Sequence, residues 1–209
     1  MKLWTSSSKT WLDVETRQPT LDQIRARLAQ HQPLPHPGGA ARAAAVAIVL
    51  RPEPEDVQVL FIKRAEYEQD PWSGQVAFPG GRHEPGDRDL LQTALRETRE
   101  EIGVDLGTAT EVIGRLDDIH SRTVKLPNVY VRPFVLALSE DVEFTLNHEV
   151  ADAFWVPMSV LHDAASWRPT TVQARGLTFD VRACEFQGRI IWGMTERITS
   201  QLLEIAFRP

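Results

Sequence analysis

Two hydrophobic periods alternate along the chain. Over 20–31, TLDQIRARLAQH, the apolar residues Leu21, Ile24 and Leu28 fall at i, i+3 and i+7, which predicts a short helix capped by Thr20 or Asp22. The Pro/Gly-rich run 32–40, QPLPHPGGA, ends it and reads as a linker. AAAVAIVL (43–50) is a continuous apolar run with β-branched residues and predicts a buried strand. The turn RPEPED and the returning strand VQVLFIK (57–63) make it a hairpin. Further strands are predicted at 112–119, 129–138 and 150–157. Leu91, Leu95, Thr98 and Ile102 recur at i, i+4, i+7 and i+11 and predict an amphipathic helix over 90–102. Asp89 and Gln92 resemble a capping box at its start, and Gly103 sits where a terminating glycine belongs. Ile198, Leu202 and Ile205 share one face of a last helix near 194–207, whereas 166–190 shows no clear period.

Strand and helix signals are thus interleaved, with antiparallel hairpins among them. That predicts an α/β fold, a mixed sheet covered by helices. The expected organisation is an N-terminal extension with a short helix (1–38) and a main domain over 39–209 that includes the C-terminal helix.

Charge and composition narrow the partners. Apolar residues make up 42% of the chain, as in globular proteins. The net charge is −6 and the pI about 5.5, so no global positive field draws nucleic acid or an anionic membrane. The single cysteine, Cys184, excludes an intramolecular disulfide and is expected to be a packed strand residue. The N-terminus, MKLWTSSSKTW, has no apolar signal-peptide core, and no apolar run approaches the roughly 20 residues of a bilayer span. A cytoplasmic protein, monomer or homodimer, is expected.

The candidate chemistry lies in 78–104, FPGGRHEPGDRDLLQTALRETREEIGV. Glu97, Glu100 and Glu101 fall at i, i+3 and i+4, so helical geometry sets them as neighbours about 5–6 Å apart. Arg96 is one turn from Glu100 and relieves part of the repulsion. On the glutamates alone, a solvated acidic face is the better explanation. The preceding Pro79-Gly80-Gly81 turn tips the balance, because glycines let the backbone bend and approach a ligand closely. A turn carbonyl and convergent carboxylates make an oxygen-only donor set suited to Mg²⁺ or Mn²⁺. The six histidines (31, 36, 83, 120, 148 and 162) have no zinc spacing, and neither a Walker A nor a Gly-x-Ser-x-Gly motif occurs.

These residues resemble the Nudix box, G-x5-E-x7-R-E-U-x-E-E-x-G-U, where U is bulky and apolar. Arg96-Glu97-Thr98-Arg99-Glu100-Glu101-Ile102-Gly103-Val104 matches its second half. Fourteen residues separate Gly81 from Arg96, one more than the general box has. Arg88 stands where the first acid is counted, flanked by Asp87 and Asp89 as candidate replacements. The longer box is similar to that of the coenzyme A pyrophosphatase branch of the family. Its upstream signature is matched at both ends, by Leu60-Phe61-Ile62-Lys63-Arg64-Ala65 and by Gly74-Gln75-Val76-Ala77-Phe78-Pro79-Gly80-Gly81. Between them one residue is inserted and Gln69 replaces an expected arginine. Trp192-Gly193-Met194-Thr195, followed by a helix, is also similar to that branch.

The resemblance implies an α/β/α sandwich and metal-dependent cleavage of a nucleoside diphosphate derivative. It implies Glu97, Glu101, Glu100 and the Gly81 carbonyl as metal ligands, with Arg96 orienting the carboxylates and Glu100 and Arg96 counted among the catalytic groups. Glu149, before the 150–157 strand, is the candidate base or further ligand, with an exposed pre-strand acid as the equally weighted alternative. Lys63, Arg64 and Arg82 are candidates for the substrate phosphates, and 121–134 for the pantetheine side. The implied reaction is hydrolysis of coenzyme A, and of its thioester or oxidised derivatives, to 3′,5′-ADP and 4′-phosphopantetheine. The alternatives are another nucleoside diphosphate derivative, such as ADP-ribose or a dinucleotide, and a module that binds a nucleotide without cleaving it.

Overall fold

The structure, a computed structural model, describes residues 18–37, 41–67, 72–120, 128–174 and 177–208. The N-terminal MKLWTSSSKTW, Gln69 and the first half of 121–134 lie outside the described residues, and with them the expectations placed there.

Helix α1 is Leu21–Gln30. Strands β1 (Arg42–Pro52) and β2 (Val57–Arg64) lead to the short strands β3 (Val76–Ala77) and β4 (Gly80–Arg82). Helix α2 (Leu90–Ile102) and the single turn α3 (Leu106–Ala109) follow. Then come β5 (Thr110–Arg115), β6 (Ile119–His120), β7 (Val129–Leu138), β8 (Val150–Pro157) and α4 (Met158–His162). Strands β9 (Trp167–Ala174), β10 (Leu177–Phe186) and β11 (Arg189–Ile191) precede the last helix, α5 (Gly193–Ala206).

The main sheet runs β3-β2-β1-β7-β5, with β4 also on β1, β6 on β7 and β8 on β2. β1 and β7 are parallel from the Arg42–Val129 pair to the Leu50–Ala137 pair, and the other pairings of this sheet among the described residues are antiparallel. Strand alternation splits β1 between two cores: Ala44, Ile48 and Leu50 enter one, and Ala45, Ala47 and Val49 the other. The first core is closed by Ile24 and Leu28 of α1 and by Ile198, Leu202 and Ile205 of α5. The second is closed by Ala94 and Ile102 of α2 and Leu106 of α3. This is the expected mixed sheet between helices. Burial on both faces is why 43–50 reads as an unbroken apolar run.

Two regions depart from the expected elements. The strand expected over 112–119 is broken, because β5 ends at Arg115 and β6 starts at Ile119. Between them Asp118 buries its carboxylate, which accepts two hydrogen bonds from the Arg132 guanidinium at 2.8 and 2.7 Å and one from the His36 N–H at 2.8 Å. Asp117 accepts from the Leu34 N–H at 2.9 Å. The pair of aspartates therefore fastens the Pro-rich 31–37 segment to the body instead of continuing a ladder. The second departure is 166–190, which forms the antiparallel β9–β10–β11 sheet. Its pattern is hidden because Leu177, Thr178, Phe179 and Asp180 are all exposed and burial in β10 begins only near Ala183 and Cys184. Cys184 is the packed strand residue expected, and burial raises its thiol pKa. Arg189 of β11 ties this sheet to the main one, pairing with Asp152 at 2.6 Å and lying over the Phe154 ring at 4.3 Å. No helix among the described residues is long and apolar enough to cross a membrane.

The glycine turn sits where β4 lies on β1, with Val46 opposite Gly80 and Ala45 opposite Gly81. Gly80 has φ +145°, and a Cβ there would lie 2.3 Å from the Ala45 carbonyl oxygen and 2.6 Å from the Val46 Cα. Both obstacles are backbone and cannot swing away. Gly86, in the following loop, would meet nothing within 4 Å. Urea denaturation should therefore show Gly80→Ala losing about 3 kcal/mol, and Gly86→Ala staying within about 0.5 kcal/mol of the parent.

Candidate active site

Helix α2 carries the acidic cluster, and both of its ends are fixed. Asp89 caps the start by accepting the Gln92 N–H at 2.8 Å. The Gln92 side chain accepts the Arg88 N–H at 2.9 Å, so the second bond of the expected capping box goes one residue upstream. Gly103 ends the helix in the left-handed region at φ +75°. The carbonyls of Glu101 and Ile102 accept the Asn147 and Thr145 N–H groups at 3.0 and 2.9 Å. These bonds hold the 145–149 loop against the helix end and bring Glu149 to the same site.

The three glutamates meet very different surroundings. Their side chains are 2% (Glu101), 16% (Glu97) and 54% (Glu100) exposed, so the helix turns Glu101 into the protein, Glu97 to its edge and Glu100 to the solvent side. Glu101 accepts the Gly80 N–H at 2.9 Å, and the Arg64 guanidinium stands 3.7 Å from its other oxygen. Burial pushes the Glu101 carboxyl up to about 8; the Gly80 bond and Arg64 oppose this, and the charges of Glu97 and Glu149 reinforce it. Burial also raises Glu97, against the pull of Arg96. The absence of a side chain at Gly81 makes room for Glu97, whose carboxyl would lie 2.4 Å from a Cβ there.

Arg96 joins the parts. Its Nε and Nη2 grip the two oxygens of Asp87 at 2.9 and 3.0 Å, its Nη1 reaches Glu100 at 3.0 Å, and Nη2 also meets Glu97 at 3.1 Å and the Arg82 carbonyl at 3.2 Å. Asp87 is buried and also accepts from the Thr93 hydroxyl at 2.9 Å and the Glu84 N–H at 3.0 Å. The Arg96 fork outweighs burial and holds the Asp87 carboxyl well below the usual carboxylate range; the same pair pushes Arg96 up. Of the two acids flanking Arg88, Asp87 thus pairs with the arginine and Asp89 caps the helix. Arg88 itself is exposed and bonds Gln92 through its N–H and its Nε.

The site lines one end of a cavity of about 1060 Å³. Arg64, Gly81, Arg82, Arg96, Glu97, Glu100, Glu101 and Glu149 all border it. Lys63 does not: alternation along β2 gives it the opposite face from Arg64. Sequence reading did not find Glu84, His148 or Tyr67 on the cavity wall, nor the apolar wall from β10 and the start of α5. Loop residues at the wall carry no period that would mark them.

The donor set fits a divalent cation. Glu101 is a nearly buried carboxylate with one guanidinium at 3.7 Å and two further acids acting on it, a combination that a cation would stabilise. Among the described residues no three acidic, histidine or cysteine side chains are already gathered as a ligand cluster. Mg²⁺ needs no such cage, since it is commonly held by one or two carboxylates together with waters and substrate phosphates.

The geometry agrees with what comparison with known proteins shows. A family model of the NUDIX domain matches residues 41–174. The Nudix hydrolases NudL of Yersinia pestis and Yersinia pseudotuberculosis are each 30% identical over 163 residues, 78% of this chain and 77% of theirs. The solved structure of a MutT/nudix family protein from Enterococcus faecalis superposes with a TM-score of 0.50 at 16% identity, covering 97% of this chain and 80% of that one, a likeness of fold. The matched segment contains the glycine turn, α2 and the Arg96–Asp87 pair, and on it the chain belongs to the Nudix hydrolase family.

Proposed function

We propose that the protein hydrolyses the diphosphate of coenzyme A, and of its thioester or oxidised derivatives, to 3′,5′-ADP and 4′-phosphopantetheine with Mg²⁺ or Mn²⁺. The observation that carries hydrolysis of a nucleoside diphosphate derivative is the convergence of Glu97, Glu101 and Glu149 with the Gly80–Gly81 turn at one end of a single cavity. The choice of coenzyme A rests on the lengthened box and on the flanking motif ending in Phe78-Pro79-Gly80-Gly81. Asp87 gives the lengthened box a physical sense, because it supplies the acid for Arg96 one residue before the counted position.

Each residue then has a task. Glu97 and Glu101 would hold the cation, with Glu100 at the open side of the site. A turn carbonyl completes the donors, and we assign it to Gly80 in preference to Gly81. The Pro79–Ala47 and His83–Ala43 bonds make Ala45–Gly81 a pair that exchanges backbone bonds, which commits the Gly81 carbonyl to β1. The Gly80 N–H instead points at Glu101. A cation held there would polarise the phosphoryl oxygens and lower the pKa of a water. Glu149, on the rim and coupled to Glu97 and Glu101, is placed to take the water's proton. Arg64 and Arg82 face the phosphates. No role falls to Lys63.

Resolving the products formed from coenzyme A with Mg²⁺ or Mn²⁺ in ¹⁸O-labelled water tests the reading and locates the attacked phosphorus. 3′,5′-ADP and 4′-phosphopantetheine are expected, and Glu101→Gln should lower turnover by about 10³-fold while the variant stays folded. Cleavage of ADP-ribose alone would replace coenzyme A as the substrate. Asp87→Asn leaves the Arg96 fork with a neutral partner; kcat should fall by about 10–100-fold, with a smaller effect on the melting temperature. The pH dependence follows from Glu101. A carboxyl raised from 4.5 to about 8 binds its proton in the folded chain and releases it in the unfolded one between those values. The metal-free protein should therefore lose stability as pH rises from 5 to 8. Thermal melts should show that loss, its recovery with Mg²⁺, and a flattened slope in Glu101→Gln.

A further inference from the structure

Charge is divided sharply within the cavity. Among the described residues, every charged side chain on its wall lies at or before Glu149, and every lining residue from Ala174 onward is uncharged. The uncharged wall comes from β10 and the start of α5, beyond the residue 174 at which the family match ends. Its members include Leu177, Phe179, Trp192, Met194 and Ile198, and Tyr67 also borders the cavity.

Three of these side chains are left open to solvent although large and apolar: Tyr67 is 62% exposed, Leu177 44% and Phe179 37%. Single exposed apolar residues are ordinary, but three bordering one cavity, beside a charged site, form a surface for a ligand. A diphosphate and its cations need only the acidic end. Among the described side chains of this wall two carry a polar group: the Thr195 hydroxyl, which donates to the Val76 carbonyl at 2.9 Å and so has no proton to offer a ligand, and the Trp192 indole N–H. A sugar hydroxyl would find few partners here, whereas an aliphatic chain would lose water from both surfaces.

We infer that the β10–α5 wall, with Phe179 and Leu177 at its lip, binds the methyl and methylene groups of the arm that the substrate carries beyond its diphosphate, and so sets the preference for that arm over a sugar. The inference rests on the coenzyme A reading, in which the arm is pantetheine: its gem-dimethyl and methylene groups meet the wall, and its hydroxyl and two amides turn to the open side of the cavity. The wall acts on binding and the acidic end on bond cleavage. Both lip residues are exposed, and neither is needed for the core.

The test compares the unsubstituted protein with Phe179→Ala, Phe179→Leu and Leu177→Ala/Phe179→Ala. KM and kcat are measured for coenzyme A, and ADP-ribose is measured as a substrate or, failing turnover, as a competitive inhibitor. Phe179→Ala should raise KM for coenzyme A about tenfold, the double variant further, with kcat within about twofold. Phe179→Leu should recover most of the loss. The ADP-ribose constant should move less than about twofold. Coenzyme A turnover with an unchanged KM in the double variant would overturn this inference alone. So would an equal shift for ADP-ribose, which would put the shared adenosine on the wall. An unsubstituted protein that leaves coenzyme A intact would overturn both readings.

Discussion

The bidentate contact between Arg96 and Asp87 fixes the site. A chain of net charge −6 gathers three glutamates on one helix, and their repulsion alone would splay them. The guanidinium spends one edge on Asp87, which is itself held by Thr93 and the Glu84 N–H, and so cannot rotate away. Its remaining donors then reach Glu97, Glu100 and the Arg82 carbonyl. One planar group thereby ties the loop before α2, the glycine turn and the acidic face of the helix. A lysine would carry the charge without the fork and could not make these contacts together.

The fork needs the backbone to come close, which is the work of the glycines. At Gly80 a side chain would strike β1, and at Gly81 it would strike Glu97. The narrow approach lets the Gly80 N–H satisfy Glu101 in a setting that has shed nearly all its water. It also leaves that carboxylate short of positive charge, with the Arg64 guanidinium 3.7 Å away. Tight packing and an under-neutralised acid arise from the same contact, and the second is what makes the site receptive to a cation.

Much of this was legible in the sequence, for identifiable reasons. Helix α2 starts and stops where its cap and Gly103 require, and 150–157 is a strand throughout, because these segments combine a strong period with clear punctuation. The acid serving Arg96 could be narrowed to Asp87 or Asp89 but not chosen, since the choice depends on which one turns inward. Lys63 and Arg64 look alike as neighbouring bases; strand alternation, visible only once β2 is placed, separates them. The β9–β10 hairpin stayed hidden because Leu177 and Phe179 are apolar yet exposed, and a pattern read as core versus surface has no place for residues that face a cavity.

That last failure bears on how the cavity is built. Its acidic end comes from residues bound into the sheet and α2, where each contact constrains the next and little can vary without loss of the fork. Its apolar end comes from a separate small sheet joined through Arg189 to Asp152 and Phe154, and from the first turn of α5. Apolar contacts are non-directional and tolerate changes of shape. The two ends therefore face different physical limits: the cleaving end must be reproduced nearly atom for atom, while the holding end must only stay uncharged and of fitting size. A cavity so divided can keep one chemistry while its apolar wall is reshaped for different arms.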